Sequence, residues 1–263
     1  MARPVIALMS DFGTCDHYVG AMKGVILSVC PDATLVDISH DIPPHDIQRA
    51  SLELAAVWQF FPPGSVFLVV VDPGVGSNRR GLAAHSEGRR FVAPDNGVLS
   101  GVFQQTTPKC VVEVTEQAYA LPKVSRTFEG RDRFAPAAAW LAKGIELSAL
   151  GRPANDYCLL DTPAARVRNG RIDGAVLRID RFGNLITNID RGTLDRLAVG
   201  GGIEIMVAGH QVDRIVETYA DITAKEVCAL FGSTDHLEIA ANSAKAAERL
   251  AVELGAPVRI RRR

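Results

Sequence analysis

The chain has 263 residues, of which 47% are hydrophobic and 22% charged, the balance of a folded globular protein and not of a disordered one. A formal net charge of −1 excludes a nucleic-acid binder that relies on a broad basic field, and the 6% aromatic content disfavours a base-stacking surface. No apolar run approaches the roughly 18 residues of a membrane-spanning helix, so neither nucleic acid nor membrane is an expected partner.

Strand and helix patterns alternate through the first 150 residues. In chain order they predict strand 4–9, helix 18–29, strand 34–38, helix 47–61, strands 66–71, 81–85, 90–93 and 110–114, and helix 134–142. The first strand is a continuous apolar run, typical of a strand buried on both faces. Pro31 stops the first helix and Asp46 is placed to cap the second. Alternation of this kind predicts a mainly parallel sheet with right-handed crossovers.

The pattern changes after Gly151, where a polar stretch predicts a linker. Short strands separated by turn residues then follow at 175–179, 184–189, 203–207, 211–216, 226–230, 237–240 and 258–261, with one helix at 243–254. We therefore predict an α/β fold class for the N-terminal part and a small all-β barrel or sandwich for the C-terminal part. The predicted boundaries are an N-terminal catalytic domain at 1–150, a linker at 151–170 and a C-terminal β domain at 171–263.

The five cysteines are widely spread and include no C-x-x-C pair, which indicates reduced thiols and not a disulfide framework or a zinc site. The first apolar run is broken at Asp11, too early for a signal peptide. Both features predict a cytoplasmic protein.

Carboxylates follow three successive predicted strands. Asp11 and Asp16 come after the first strand, Asp41 after the second and Asp72 after the third. Ligands of open parallel sheets bind beyond the carboxyl ends of the strands, so these side chains form a candidate site. The alternative is that each Asp caps a turn or the next helix.

Several common chemistries lack their motifs. Neither G-x-G-x-x-G nor a phosphate-binding loop is present, and an acidic first loop would repel a pyrophosphate. No G-x-S-x-G supports a serine hydrolase. The compact group His40, Asp41, His45 and Asp46 lacks metal-ligand spacing and is interrupted by two prolines, so no metal site is predicted. Carboxylates suit ribose hydroxyls, an amino group or a cationic centre.

Two further segments are unusually polar. Residues 127–132 carry both charge signs before an apolar helix, which fits either a site or a helix-capping Arg–Asp pair. Residues 182–184, Phe-Gly-Asn, lie within a predicted β hairpin, where they fit either a site or a tight turn.

Taken in order, these segments resemble the S-adenosyl-L-methionine hydrolases, also called hydroxide adenosyltransferases, which are related to fluorinase and chlorinase enzymes. The matching stretches are MSDFGTCDHYVGAMKG, DISHDIPPHDI, VVVDPGVGSNRR, FVAPDNGVLS, TFEGRDRFAPAAA, DRFGNLITNI and LFGSTDHLEIAANSAKAAERL. The resemblance implies an N-terminal α/β domain joined to a C-terminal β-barrel. It also implies a homotrimer that holds substrate between the N-terminal domain of one subunit and the C-terminal domain of the next, without a cofactor.

Substrate-binding positions follow from the same resemblance. Asp11 corresponds to the carboxylate that accepts both ribose hydroxyls, a bidentate charge-assisted interaction. Asp16 corresponds to the position facing the methionine ammonium, with Ser233 near the same end. On the adenine side, the resemblance assigns Phe182 and Asn184, and Ser243 falls near a further adenine contact.

The resemblance assigns the catalytic positions to Asp72, Arg79 and Glu129. Halogenases carry a tyrosine or another non-acidic residue where this chain has Asp72, and a carboxylate there would repel halide and could instead hold a water. The family's hydrolases complete an Asp–Arg–His set with a histidine in T-F-H-G-R-D, and this chain has Glu129 at that position. An unperturbed glutamate is an anion near neutral pH, where histidine can share a proton. Glu129 could pair with Arg79 and preserve the geometry, or it could signal an altered rate or chemistry.

The predicted activity is metal-independent hydrolysis of S-adenosyl-L-methionine (SAM) to adenosine and L-methionine, by attack of water or hydroxide at ribose C5′. Two alternatives stay open. A halogenase-type transferase such as a chlorinase is disfavoured by Asp72, and a non-catalytic protein that binds SAM or adenosine has only Glu129 in its support.

Overall fold

The computed structural model describes residues 3–198 and 202–262. The chain divides into two compact units, an N-terminal unit at Met1–Leu160 and a C-terminal unit at Asp161–Arg263. Among the described residues, no helix reaches the length and apolar character needed to cross a bilayer.

The N-terminal unit is built on one sheet. Its strands, within the described residues, are β1 Val5–Ser10, β2 Thr34–Ser39, β3 Val66–Val70, β4 Gly81–Ser86, β5 Arg89–Pro94 and β6 Cys110–Glu113. Their order across the sheet is β2-β1-β3-β5-β4-β6. The pairs β2–β1, β1–β3 and β3–β5 are parallel, and β4 runs antiparallel to both β5 and β6. The sheet is therefore mainly parallel, as the strand–helix alternation predicts.

Helices cover both faces of this sheet. They are α1 Tyr18–Val29, α2 Ile47–Val57, α3 Ser100–Gln105 and α4 Ala135–Ala142 within the described residues. Along β1, Ile6 and Leu8 pack with α1 and α4, whereas Ala7 and Met9 pack with α2 and α3. Successive side chains of a strand point to opposite faces, so a strand with a core on each side must be apolar throughout. The unbroken apolar run at the start of the chain has this physical cause.

Helix ends match their local signals. The side chain of Asp46 caps α2 by accepting a hydrogen bond from the Arg49 amide at 2.8 Å. The α4 helix starts one residue later than predicted, because the five residues Gly130–Phe134 form a π-helical turn ahead of it. Pro136 lies in the first turn of α4, where its missing N–H costs nothing.

The C-terminal unit is a nearly closed antiparallel barrel. Its strands are β7 Arg166–Arg168, β8 Arg171–Ile179, β9 Leu185–Asp190, β10 Ile203–Val207, β11 His210–Val212, β12 Val227–Phe231, β13 His236–Ala241 and β14 Pro257–Arg262. They follow the order β11-β10-β14-β8-β9-β13-β12, with β7 paired beside β8. The chain just after β11 bonds to β12 through Val216 and Arg214, which joins the two ends of the order. A barrel, and not a two-sheet sandwich, is the outcome.

Among the residues of this unit that the structure describes, the α-helices are α5 Arg191–Ala198 and α6 Ala246–Leu250. The helix predicted at 243–254 is therefore much shorter. Ser243 and Ala251 have positive φ of 54° and 50°, outside the right-handed helical region.

Residues 152–160, assigned to the linker by the sequence, lie along the N-terminal unit. The Arg152 carbonyl accepts from the Glu113 amide at 2.8 Å and the Ala154 amide donates to Val111 at 2.9 Å. All five cysteines are free within the described part of the chain.

Candidate active site

The carboxyl ends of β2, β1 and β3 lie side by side at one edge of the N-terminal sheet, because these three strands are adjacent and parallel. Asp11 follows β1 directly, and Asp72 follows the end of β3 by two residues. Ser10 is paired with Val70 across these strands, which sets the two ends level. This edge is the expected ligand-binding region of such a sheet.

Arg79 joins Asp72 and Glu129 into one ion cluster. Its Nε donates to Asp72 Oδ1 at 2.8 Å and Oδ2 at 2.9 Å, and its Nη2 also donates to Oδ2. The same Nη2 donates to Glu129 Oε2 at 2.6 Å. The side chains of Asp72, Arg79 and Glu129 are 6%, 10% and 20% exposed. Residues far apart in sequence thus form a nearly buried set of charge-assisted hydrogen bonds.

The electrostatics of the cluster favour the charged form of Arg79. Burial by itself would lower the pKa of Arg79, but the hydrogen bond and charge of Asp72, with the charge of Glu129, outweigh burial and raise it. Two carboxylates and one guanidinium leave the cluster with one net negative charge when all three are ionised. Arg133 Nε lies 3.8 Å from Glu129 Oε1, so the charges balance once this second guanidinium is included.

The loop that carries Arg79 is fixed by close backbone contacts. Gly76 has φ of +77°, and a Cβ added there would lie 2.4 Å from the Arg126 carbonyl oxygen. Arg126 in turn donates from Nη2 to the Gly76 carbonyl at 3.0 Å. Ser77 Oγ donates to the Gly74 carbonyl at 2.7 Å and accepts from the Arg79 amide at 3.2 Å. The guanidinium therefore starts from a well-defined backbone.

Glu129 is positioned by the turn that begins next to it. A Cβ on Gly130 would come within 2.9 Å of Val70 on β3, so the turn rests directly on the sheet. Asp132 is fully buried and accepts hydrogen bonds from the Ser125 amide at 2.7 Å and from Arg131 Nε at 2.6 Å. Both interpretations of residues 127–132 are therefore correct in part. Arg131 and Asp132 form a structural ion pair, whereas Glu129 belongs to the ion cluster.

The loop after β1 carries Asp11 and Asp16. Asp11 Oδ2 accepts a hydrogen bond from the His45 amide at 2.9 Å. Asp16 is exposed just before α1. The group His40, Asp41, His45 and Asp46 does not converge: Asp46 caps α2 and His40 is buried against Ser10.

Two candidate residues of the C-terminal unit, Phe182 and Asn184, lie on the turn between β8 and β9. Asp180 Oδ1 accepts from the amides of Phe182 at 2.9 Å and Asn184 at 2.8 Å, and Asp180 Oδ2 accepts from the Asn184 side-chain amide at 3.0 Å. Asn184 is buried, whereas Phe182 is 73% exposed. The turn thus presents an aromatic ring on a rigid base, and the residue that organises it, Asp180, was missed from the sequence. Its signal was an Asp two residues before Phe-Gly-Asn, the pattern of an Asx turn.

The segment that holds Ser243 packs against this turn. Gly183 has φ of +82°, a Cβ there would lie 2.4 Å from Lys245 Cβ, and the Gly183 carbonyl accepts from the Ala247 amide at 3.0 Å. Ser243 itself donates from Oγ to Asn242 Oδ1 at 3.0 Å. The three adenine-side positions predicted from the resemblance therefore belong to one region of the C-terminal unit.

Ser233 is exposed on the turn between β12 and β13, next to a buried carboxyl. A Cβ on the preceding Gly232 would lie 1.7 Å from Glu238 Oε1, so the Glu238 carboxyl fills the space beside this turn. Burial raises the pKa of Glu238, and Tyr219 donates its hydroxyl to Glu238 Oε2 at 3.1 Å. Burial and the neighbouring Glu238 charge raise the pKa of Tyr219 to about 12. No pattern in the sequence selects Tyr219 or Glu238.

Comparison with known proteins identifies the family. Residues 6–151 match the family described as the SAM hydroxide adenosyltransferase N-terminal domain, and residues 174–259 match the corresponding C-terminal domain. The chain belongs to this family. Within the SAM hydroxide adenosyltransferases, the (R)-S-adenosyl-L-methionine hydrolase of Thermus thermophilus is 38% identical over 98% of this chain and 99% of that protein. The enzyme of the same name from Salinispora tropica is 33% identical over 98% of this chain and 97% of its own length.

Fluorinases are also relatives. The fluorinase of Actinopolyspora mzabensis is 30% identical over 99% of this chain and 98% of that protein. Among solved structures, an uncharacterized conserved protein from Thermotoga maritima superimposes with a TM-score of 0.92 at 34% identity, covering 98% of this chain and 100% of that chain. The relatives of this chain therefore include both hydrolases and a fluorinase.

Proposed function

We propose that this chain hydrolyses S-adenosyl-L-methionine to adenosine and L-methionine by attack of water on ribose C5′. The nearly buried cluster of Asp72, Arg79 and Glu129 carries the proposal, because it combines a guanidinium with two carboxylates. Hydrolase names among relatives that align over nearly the full chain support the same reaction.

The chemistry needs a base and no acid. The bond from C5′ to the sulfonium sulfur breaks, its electron pair stays on sulfur, and methionine leaves as a neutral thioether. A bond from the water oxygen to C5′ forms, and one proton leaves that oxygen. Because the leaving group carries its positive charge from the start, neither a Lewis acid nor a protonated residue is required. We therefore propose a reaction that is independent of metal and of any cofactor.

The two carboxylates have different freedom to take that proton. Arg79 donates to both oxygens of Asp72, so we assign Asp72 the role of fixing the guanidinium and orienting the water. Glu129 shares only Oε2 with Arg79, and its Oε1 is 3.8 Å from Arg133 Nε. Glu129 is also the most exposed of the three, which suits a group that must pass the proton on to solvent. We assign Glu129 the role of general base, with Arg79 stabilising the developing hydroxide.

The two carboxylates disfavour halide as the nucleophile. An anion in contact with Asp72 and Glu129 would meet two negative groups, whereas a water molecule can donate hydrogen bonds to the carboxylates and keep its lone pair for C5′. The halogenase alternative therefore finds no support in this site.

For substrate binding, we propose that Asp11 accepts the two ribose hydroxyls and that Asp16 and Ser233 lie at the methionine end. Phe182, Asn184 and Ser243 form the adenine side. An aromatic ring as exposed as that of Phe182 offers a face on which a purine can stack. Because relatives carry the name (R)-S-adenosyl-L-methionine hydrolase, we propose the R epimer at sulfur as the preferred substrate.

The test is product analysis by mass spectrometry in chelator-treated buffer, with each sulfur epimer and with ¹⁸O-labelled water. We expect adenosine and methionine in equal amounts, with the label at the C5′ oxygen. Asp72→Ala should abolish turnover, and the matched control Asp32→Ala, which removes an exposed carboxylate in the turn before β2, should not. A halide-dependent 5′-halogenated nucleoside would replace this proposal with the halogenase function. Tight binding without turnover would replace it with the non-catalytic binding function.

We propose further that the active species is a homotrimer in the cytoplasm. The family resemblance supports the trimer, and the spread of the cysteines without a C-x-x-C pair supports a reducing compartment. Light scattering of the purified protein measures the assembly, and cell fractionation measures the compartment.

A further inference from the structure

A chain of hydrogen bonds lies beneath the loop that carries Asp11. Ser10 Oγ is 2.7 Å from His40 Nδ1, and His40 Nε2 is 3.1 Å from Asp37 Oδ1. Lys23 Nζ donates to the other Asp37 oxygen at 2.6 Å. Ser10 has no exposed surface and His40 is 5% exposed.

The Asp37 carboxylate determines which atoms donate and which accept in this hydrogen-bond network. A carboxylate only accepts, so His40 carries its proton on Nε2 and donates it to Asp37. His40 Nδ1 is then an acceptor for the Ser10 hydroxyl. The pKa of Asp37 is consistent with its role as an acceptor. Burial would raise that pKa, but hydrogen bonds from Lys23 and His40 outweigh burial and lower it.

The order Ser–His–Asp is that of a hydrolytic triad, but this serine does not act as a nucleophile. Ser10 is the last residue of β1 and is fully buried, so a substrate atom does not reach Oγ. The role of this hydrogen-bond network is therefore structural, and it concerns a neighbouring part of the protein.

The element on which it acts is the loop of residues 10–13. The Gly13 amide donates to the His40 carbonyl at 2.8 Å, and Gly13 has φ of +66°, a conformation that favours glycine. Asp11 Oδ2 accepts from the His45 amide at 2.9 Å. His40 therefore binds the start of the loop through its ring and the end of the loop through its backbone, with Asp11 in between.

We infer that Ser10 and His40 are positioning residues that hold the Asp11 carboxylate in the orientation required to accept the ribose hydroxyls, and that Asp37 acts only by fixing which ring nitrogen of His40 carries the proton. The inference rests on the proposed function for the role of Asp11. A carboxylate that meets two vicinal hydroxyls must be placed accurately at both oxygens, so a loosened loop weakens nucleoside binding more than it slows the chemistry at Asp72 and Glu129.

Two isosteric variants of His40 separate the two ends of the network. In His40→Asn the amide oxygen replaces Nδ1 as acceptor for Ser10, whereas in His40→Gln the amide nitrogen replaces Nε2 as donor to Asp37. Ser10→Ala removes the hydroxyl with little change in volume. We expect Ser10→Ala and His40→Gln to raise the Kd for adenosine and the KM for the sulfonium substrate about tenfold. We expect kcat to stay within about twofold and His40→Asn to remain near the wild type.

The experiment measures adenosine binding by calorimetry, steady-state kinetics, and hydrogen exchange at residues 11–13 in each variant. Faster exchange together with the KM-specific loss in Ser10→Ala and His40→Gln supports the inference. Unchanged adenosine affinity in Ser10→Ala, or a loss confined to kcat, overturns it. If the wild type binds adenosine but does not cleave the substrate, the proposed hydrolysis fails while adenosine affinity and hydrogen exchange still decide the positioning role.

Discussion

Replacement of Glu129 by glutamine tests the division of labour between the two carboxylates. The amide keeps the size of the side chain and an oxygen for Arg79 Nη2, 2.6 Å away in the native protein, but it takes no proton at neutral pH. A positioned general base contributes about 10²- to 10⁴-fold, which corresponds to about 3–5 kcal/mol of activation free energy. We therefore expect kcat to fall by two to four orders of magnitude, with KM within a few-fold of the wild type.

The assay is initial-rate measurement of adenosine formation with purified Glu129→Gln, Glu129→His and wild-type protein. Glu129→His supplies a base with an ordinary pKa of about 6.5, so its activity should exceed that of the glutamine variant and should fall as the imidazole is protonated. Circular dichroism controls for folding. A glutamine variant that retains more than about one tenth of wild-type kcat would refute the assignment of Glu129 as base and leave Asp72 as the candidate for that role.

Three further predictions concern the supports of the site and the C-terminal unit. Gly76→Ala places a side chain at φ +77° and 2.4 Å from the Arg126 carbonyl oxygen, so it should destabilise the protein by about 1–3 kcal/mol. It should also reduce kcat, because it displaces the loop that carries Arg79. Thermal denaturation and kinetics measure the two effects, and unchanged values contradict the tight contact. Asp132→Asn should lower the free energy of unfolding by about 1–3 kcal/mol. Burial would raise the pKa of Asp132, but hydrogen bonds from Arg131 and the backbone outweigh it and lower the pKa. Its contribution is thus present above the ordinary pKa and lost as pH falls, and urea titrations should show the deficit narrowing in acid. Glu238→Gln should be more stable than the wild type at pH 8 and no more stable at pH 4. Burial raises the pKa of Glu238, so the stability that the protonated carboxyl contributes is lost as pH rises. A stability difference that does not change with pH contradicts this prediction.

Features decided by neighbouring residues were predictable from the sequence. The helix at Tyr18–Val29 has the predicted bounds, because helical spacing and Pro31 both act locally. The Asp46 cap needs only the amide of Arg49, three residues on. The apolar run of the first strand depends on burial of both faces, which the strand–helix alternation already indicates.

Features decided by distant contacts were not predictable in this way. The α3 helix at Ser100–Gln105 contains Gly101, a poor helix former, and forms where Gly101 packs so closely on α2 that a Cβ would lie 2.6 Å from the Ser51 carbonyl. The predicted end of α6 at residue 254 is wrong: the helix ends four residues earlier, at Leu250, because Ala251 takes a left-handed conformation.

The candidate site divides in the same manner. The family resemblance selects Asp72, Arg79 and Glu129, but which oxygens Arg79 engages depends on the loop geometry. The bond between Ser10 and His40 joins the last residue of β1 to the residue just after β2, 30 positions along the chain, and no periodicity in the sequence marks it.

The backbone around Arg79 is maintained by atoms other than the two carboxylates. Gly76 packs on the Arg126 carbonyl, Ser77 bonds the loop to itself, and Gly130 rests on Val70. Position 129 can therefore exchange one side chain for another while the scaffold that presents it stays intact. The reactivity of the site can thus change through a replacement at position 129 without a change in the shape of the loop that presents Arg79.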